Sequence, residues 1–181
     1  MIRPEVSHII DSYYPEKTEL RDILLRHSSS VRDMSLSIAR RHPELNADMD
    51  ILENGSMLHD IGIVFCDAPG IGCHGTHRYI MHGRLGAELL RNEGMEEYAR
   101  IAERHTGTGL TAEMIEKQHL PLPVRDFTPE TIEEQIICYA DKFFSKSRLD
   151  SAKSYEEARK SISKFGDDCV AKFDEWHKKF S

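Results

Sequence analysis

The chain has 181 residues, 39% apolar and 30% charged, with a formal charge of −7. This is enough for one sizeable core of ordinary globular composition, and the acidic balance argues against broad binding of nucleic-acid polymers or anionic membranes while leaving room for a local basic pocket. No apolar stretch approaches the roughly 20 residues that span a bilayer, residues 1–5 lack the apolar run of a signal peptide, and Cys66, Cys73, Cys138 and Cys169 form no closely spaced pair, so a cytoplasmic setting with reduced thiols is expected.

Helical periodicity dominates and alternating strand patterns are nearly absent, so the expected fold is all-α, a compact multi-helix bundle in a single domain over residues 1–181. Residues 4–14 read as a short helix that Pro15 ends. Thr18 to about Leu25 reads as a second helix, and Ser28, Ser29 and Ser30 as N-caps of a third that runs to about Arg41. His27, Val31, Met34 and Ile38 share one face there, so His27 heads an apolar stripe. Asn46 is the expected cap of the next helix, which runs into Ser56-Met57-Leu58-His59-Asp60-Ile61-Gly62 with Gly62 as its stop. A His-Asp doublet inside an apolar run needs an explanation, because buried ionisable groups are costly unless paired, hydrogen-bonded or bound to a metal.

Residues 64–79 read as a loop containing Gly70, Gly72 and Gly75, with Cys66, Cys73, His74 and His77 along it. That spacing matches no standard zinc finger, and a substrate-facing loop whose glycines admit a phosphate is the functional expectation. Residues 80–90 begin a helix that Gly94 stops, and residues 95–105 form another, with Tyr98, Ile101, Ala102 and His105 on one face. Residues 120–128, with Pro121 and Pro123, read as a connector. Thr128-Pro129-Glu130 is the expected start of a helix that carries Ile136, Ile137 and Phe144, with Asp141 as a second isolated carboxylate on its apolar side. Ser154-Tyr155-Glu156-Glu157 is a capping box. Gly166 ends that helix, and a last one anchored by Trp176 follows. The charges of residues 146–164 read as a solvated face, and the tail as packing.

The ionisable residues on apolar faces or helix ends are His27, His59, Asp60, His82, His105 and Asp141, drawn from five segments. Imidazole and carboxylate together suit divalent iron, manganese, zinc or nickel, and six such groups with one shareable carboxylate can hold two ions. The order His27, His59-Asp60, Asp141 resembles the HD superfamily of metal-dependent phosphohydrolases, and Leu58-His59-Asp60-Ile61-Gly62 carries the HDIG signature of one subgroup. His82-Gly83 with Gly86-Ala87-Glu88, Arg104-His105-Thr106-Gly107 and Tyr139-Ala140-Asp141-Lys142 extend the resemblance over roughly residues 20–150, leaving residues 151–181 as a C-terminal helical extension.

The resemblance implies an all-helical fold with His27, His59, Asp60 and Asp141 on a first metal ion. Asp60 would reach a second ion completed by His82 and His105. Two such ions share a hydroxide that attacks the phosphoryl group. Asp60 and Lys142 are then the expected catalytic residues. Arg78, Arg84, Arg104, His74 and His77 are the expected substrate contacts, although each cation alone is more often a solvated helix-face charge. The expected activity is hydrolysis of a nucleotide or other small phosphate ester or anhydride, with a small phosphorylated substrate as partner and neither nucleic-acid polymer nor membrane. Two departures bear on the substrate: Arg104, not a second histidine, precedes His105, and the Gly-Tyr-Pro motif of the cyclic-di-GMP branch is absent. The same ligand set fits two other readings, a di-iron oxygenase of HD type and a non-catalytic nucleotide-binding regulatory module.

Overall fold

Thr18 opens the longest element. Its side-chain oxygen accepts the Arg21 N–H, and the helix that follows does not stop until Arg41. In the computed structural model, which describes residues 1–181, nine α-helices follow in order. They are α1 Pro4–Tyr13, α2 Glu19–Arg41, α3 Met49–Leu58, α4 His82–Asn92, α5 Glu96–Arg104, α6 Ala112–Lys117, α7 Ile132–Asp141, α8 Tyr155–Ile162 and α9 Asp167–Phe180. The fold class is all-α, with one two-stranded sheet between β1 Asp67–Ala68 and β2 Cys73–His74. No helix is long and apolar enough to cross a membrane.

Several helix boundaries differ from the sequence expectation, each for a local reason. Ser28–Ser30 cap nothing. Ser28 is buried in mid-helix and Ser30 Oγ donates to the Arg26 carbonyl four residues back, so serine satisfies the helix from inside. Asn46 has φ 50° and ends the short 3-10 turn Pro43–Leu45. Asp48 is the cap of α3, its Oδ1 accepting from the N–H groups of Asp50 and Ile51 at 2.8 and 3.2 Å. Thr131, not Thr128, caps α7, in a capping box with Glu134. Phe127 is paired with Leu110 in a β-bridge, which keeps that stretch extended up to the helix. The 64–79 region is not a free loop. Asp67 lies opposite His74 and Ala68 opposite Cys73, and both Cys66 and Cys73 are fully buried.

One apolar cluster runs from Val6 to Phe180. The tail belongs to it, since Tyr139 of α7 stacks its ring 5.2 Å from Phe173 and 5.4 Å from Phe180, both on α9. Trp176 is buried, as an anchor should be. On the other side, α4 lies against α5 and against the 3-10 turn Ile61–Phe65 that follows the His-Asp doublet. Tyr14 pins that turn from beneath. Its hydroxyl donates to the Ile61 carbonyl at 2.6 Å and accepts the Val64 N–H at 3.2 Å.

Gly62 does not end α3, which stops at Leu58, nor does it take a left-handed conformation. It is a glycine because α4 sits on it: a Cβ there would stand 2.1 Å from the His82 carbonyl oxygen and 2.4 Å from the Gly86 nitrogen. Both neighbours are backbone and cannot swing away. Gly62→Ala is therefore expected to cost about 1–3 kcal/mol of stability, the range for overpacking a filled core. Gly94→Ala, at φ 73° with open space around it, should cost only the backbone strain of a left-handed alanine, about 1–2 kcal/mol, with no clash added. Urea denaturation of the two variants checks the order.

Candidate metal centre

Five elements converge on one point. His27 comes from the middle of α2, His59 and Asp60 follow the last residue of α3, His82 opens α4, His105 follows α5, and Asp141 is the last residue of α7. Helices α3, α5 and α7 all end here, so three partially negative helix termini face the same spot, a field that favours cations.

Three of the imidazoles are fixed by one local device. His59 Nδ1 lies 2.6 Å from the Ser56 carbonyl, His82 Nδ1 2.7 Å from that of Tyr79, and His105 Nδ1 2.7 Å from that of Ala102. A carbonyl only accepts, so each Nδ1 carries the proton and, in the neutral ring, each Nε2 presents a bare lone pair. Those lone pairs crowd together: His82 Nε2 stands 3.0 Å from His105 Nε2, and His27 Nε2 stands 3.3 Å from His59 Nε2. Between two neutral rings with both Nδ1 atoms protonated, the 3.0 Å contact is no hydrogen bond.

Asp60 divides its carboxylate between the two pairs. Its Oδ2 is 3.1 Å from His27 Nε2 and 3.2 Å from His59 Nε2, and its Oδ1 is 3.4 Å from His82 Nε2 and 3.3 Å from His105 Nε2. Asp141 Oδ1 completes the first group, 3.0 Å from His27 Nε2 and 3.5 Å from His59 Nε2. The donor atoms of His27, His59, Asp60 and Asp141 lie within 4.8 Å of one another, as do those of Asp60, His82 and His105. Asp60 is fully buried, yet neither of its oxygens receives a well-directed hydrogen bond. Ligand atoms that converge without bonding one another fit a bound cation, and the N and O donor set suits a divalent transition ion.

The charges agree. Burial pushes the Asp60 carboxyl up, but Lys146 and His59 outweigh it and hold it well below the usual carboxylate range. Burial opposes a charge on His59, but Asp60 and Asp141 raise its pKa to about 9. Burial and then His105 push His82 down to about 3. The first group thus attracts positive charge strongly, and the second keeps a neutral imidazole.

Lysines complete the site, one expected and one not. Lys142 Nζ donates to Asp141 Oδ2 and to the His105 carbonyl, both at 2.6 Å. Lys146 is no solvated side chain. Its Nζ lies 2.5 Å from Asp60 Oδ2, near the ring of Tyr79, and the side chain is 15% exposed. Nothing in its sequence setting marked it, since it opens a run of ordinary surface charges. A cavity of about 660 Å³ opens from the centre, with His82, His105, Asp141, Lys142 and Lys146 on its inner wall.

The five expected substrate contacts lie elsewhere. Arg104 is buried under the site, its Nη1 donating to the Thr128 carbonyl at 2.8 Å and pairing with Glu130 at 2.8 Å. Arg84 pairs with Glu88 at 2.8 Å on the outer face of α4. Arg78, His74 and His77 are exposed, and none of the five lines the cavity. Sequence neighbours of a ligand on a helix point about 100° away from it, so Arg104, beside His105, is directed away from the cluster, to Thr128 and Glu130.

A model of the HD domain family matches residues 24–145. The chain belongs to the HD domain family. The matched segment contains all six converging residues and stops one short of Lys146. Two curated relatives are named tRNA (cytidine(56)-2'-O)-methyltransferase. The one from Picrophilus torridus is 36% identical over 129 residues, 71% of this chain and 33% of that protein. The one from Thermoplasma volcanium is 34% identical over 145 residues, 80% of this chain and 38% of that protein. The chain spans about a third of the length of these relatives. An uncharacterized protein of Methanocaldococcus jannaschii is 36% identical over 131 residues, 71% of this chain and 70% of that protein. Among solved structures, the HD domain of the L. monocytogenes phosphodiesterase PgpH shares the HD fold, with a TM-score of 0.56 over 98% of this chain and 87% of that one at 18% identity.

Elemental analysis of the purified protein is expected to find about two divalent ions per chain, one for each group, with both lost in Asp60→Ala because both use that carboxylate. The Lys146 ammonium occupies the oxygen that an ion must approach, and two cations there repel. Lys146→Met should therefore bind manganese or zinc more tightly than wild type in a calorimetric titration, and its ion-free form should melt at lower temperature.

Proposed function

We propose that this HD domain is a metal-dependent phosphohydrolase acting on a nucleotide or another small phosphate ester or anhydride. The observation that carries the reading is the Asp60 carboxylate, one oxygen toward His27 and His59 and the other toward His82 and His105. It lies beside a cavity whose inner wall carries Lys142 and Lys146. Divalent cations held by the two groups would supply a water nucleophile at neutral pH and Lewis-acid neutralisation of phosphoryl oxygens.

The chain's own residues do the rest. Asp60 fixes the spacing of the two groups because both share one rigid carboxylate. The carbonyls of Ser56, Tyr79 and Ala102 hold three rings in the tautomer that leaves Nε2 free, so little reorganisation remains for the reaction itself. Lys142 spends two of its three N–H donors on Asp141 and the His105 carbonyl, which leaves the third for a phosphoryl oxygen in the cavity. Lys146, once released from Asp60, is a second cation within reach of the same phosphate.

The methyl transfer named for two of the relatives belongs, on this reading, to the part of those proteins that this chain does not span. Supporting this, the matched part is about a third of each of those relatives, and the polar groups of the site here are histidines, carboxylates that could hold metal ions, and lysines.

Protein loaded with manganese, iron or zinc is expected to release phosphate or a nucleotide from at least one member of a panel of nucleoside mono-, di- and triphosphates, dinucleoside polyphosphates and cyclic nucleotides. Asp60→Ala should lower that rate by at least the roughly 100-fold that even outer-sphere losses can cost, and a chelator should abolish it reversibly. Protein with two ions per chain that cleaves nothing on the panel overturns the proposal. Consumption of dioxygen on adding substrate to the iron-loaded form would place the site with the oxygenase chemistry instead.

A further inference from the structure

The cavity is larger than one phosphoryl group requires, and part of its lining lies beyond the segment that the HD family model matches. Lys153, Ser161, Ile162, Lys164 and Phe165 belong to that part, all beyond residue 145. They belong to α8, the residue just before its cap, and the 3-10 turn that follows it.

Two of these residues are cations without an anion. Lys142 and Lys146 answer the carboxylates of Asp141 and Asp60. Neither Lys153 nor Lys164 pairs with any carboxylate. Lys153 is half-buried, its backbone N–H donates to the Phe143 carbonyl at 2.7 Å, and its Nζ reaches only the Lys142 carbonyl at 3.4 Å. Lys164 extends over the ring of Phe165, 5.0 Å from its centroid. Burial lowers the Lys153 pKa, and although Asp141 pulls the other way, Lys142, Lys164 and Arg148 lower it further. Lys164 is exposed and Lys153 half-buried, and positive charges gathered on one cavity lining without a counter-ion favour an anionic ligand there. The same cavity is lined by Tyr79, Ile80, Phe144 and Phe165, apolar and aromatic surface suited to the flat body of a ligand.

We propose that Lys153 and Lys164 form a second anion subsite, so that the preferred substrate is a nucleotide with a further phosphoryl group apart from the one held at the metal centre. This rests on the phosphohydrolase reading for the reaction, but the subsite is a property of binding. The bond from the Lys153 N–H to the Phe143 carbonyl, two residues past the end of α7, ties this subsite to the segment that carries Asp141. The tail is then a wall of the substrate site as well as part of the core.

The test uses the full chain with its metal ions and compares AMP with ADP and adenosine 3′,5′-bisphosphate by calorimetry at low salt. Wild type should bind the better of the two bisphosphorylated probes on the order of tenfold more tightly than AMP, as expected for added charge-assisted contacts. The double variant Lys153→Met, Lys164→Met should lose that advantage while its affinity for AMP and its melting temperature stay close to wild type. Lys153→Arg should keep it. No preference over AMP in wild type, or a preference that survives in the double variant, overturns the proposal. Phosphate release assayed on the same samples separates the two readings: hydrolysis without the preference removes only the subsite, and the preference without hydrolysis removes only the phosphohydrolase.

Discussion

The structure depends on a carboxylate that cannot be buried alone. Asp60 sits in a fully enclosed position where an uncompensated charge would be prohibitive. Around it the chain gathers four imidazoles and an ammonium within 3.4 Å. Most of the architecture can be read as the means of bringing those groups to that carboxylate. Three helices end at it, a fourth begins at it, and the longest passes beside it. Gly62 lets α4 approach closely enough for His82 to arrive, and Tyr14 holds the intervening turn from the other side. A metal cation in each of the two groups would satisfy the carboxylate and the imidazoles at once, which a proton on one histidine does not.

Much of this was legible in the chain because ligands interrupt an apolar pattern. His27 at the head of a stripe, His59-Asp60 after Leu58 and Asp141 among isoleucines are conspicuous where a hydrophobic side chain is expected, and the structure brings all three segments together. The all-α class followed from the same periodicity. Other features were hidden for identifiable reasons. Gly62 was misread because glycine ends helices and also admits close backbone contact, and sequence does not say which. Three consecutive serines look like caps, yet serine in mid-helix can bond its own preceding turn. Lys146 has no local signature. Only the turn after α7 brings it to Asp60, a residue distant in the chain. Arg104 failed in the opposite sense, because proximity in sequence to His105 placed it on the wrong side of the helix.

The family-matched segment and the folded unit are not the same length. The match ends at residue 145, but the apolar cluster continues through Phe173, Trp176 and Phe180, and Arg41 Nη2 donates to the Phe180 carbonyl at 3.1 Å. Helix α9 thus belongs to the core of the bundle, while α8 contributes both to that core and to the lining of the cavity. Substitutions in α9 that loosen Phe173 should be felt in the position of α8, and through it at the mouth of the site.

The rings of His59 and His105, which donate to a carbonyl three residues earlier at the ends of α3 and α5, use groups that a helix end leaves without a partner in any case. Each of these two rings is therefore at the same time a candidate ligand and the terminator of its own segment. Helix length and ligand direction become one variable. Adding a single residue within α3 or α5 would rotate the following imidazole by about 100° and shift it by about 1.5 Å, taking it out of the cluster. Insertions and deletions should thus be rejected inside the helices that end at the centre, whatever the chemistry of the residues involved.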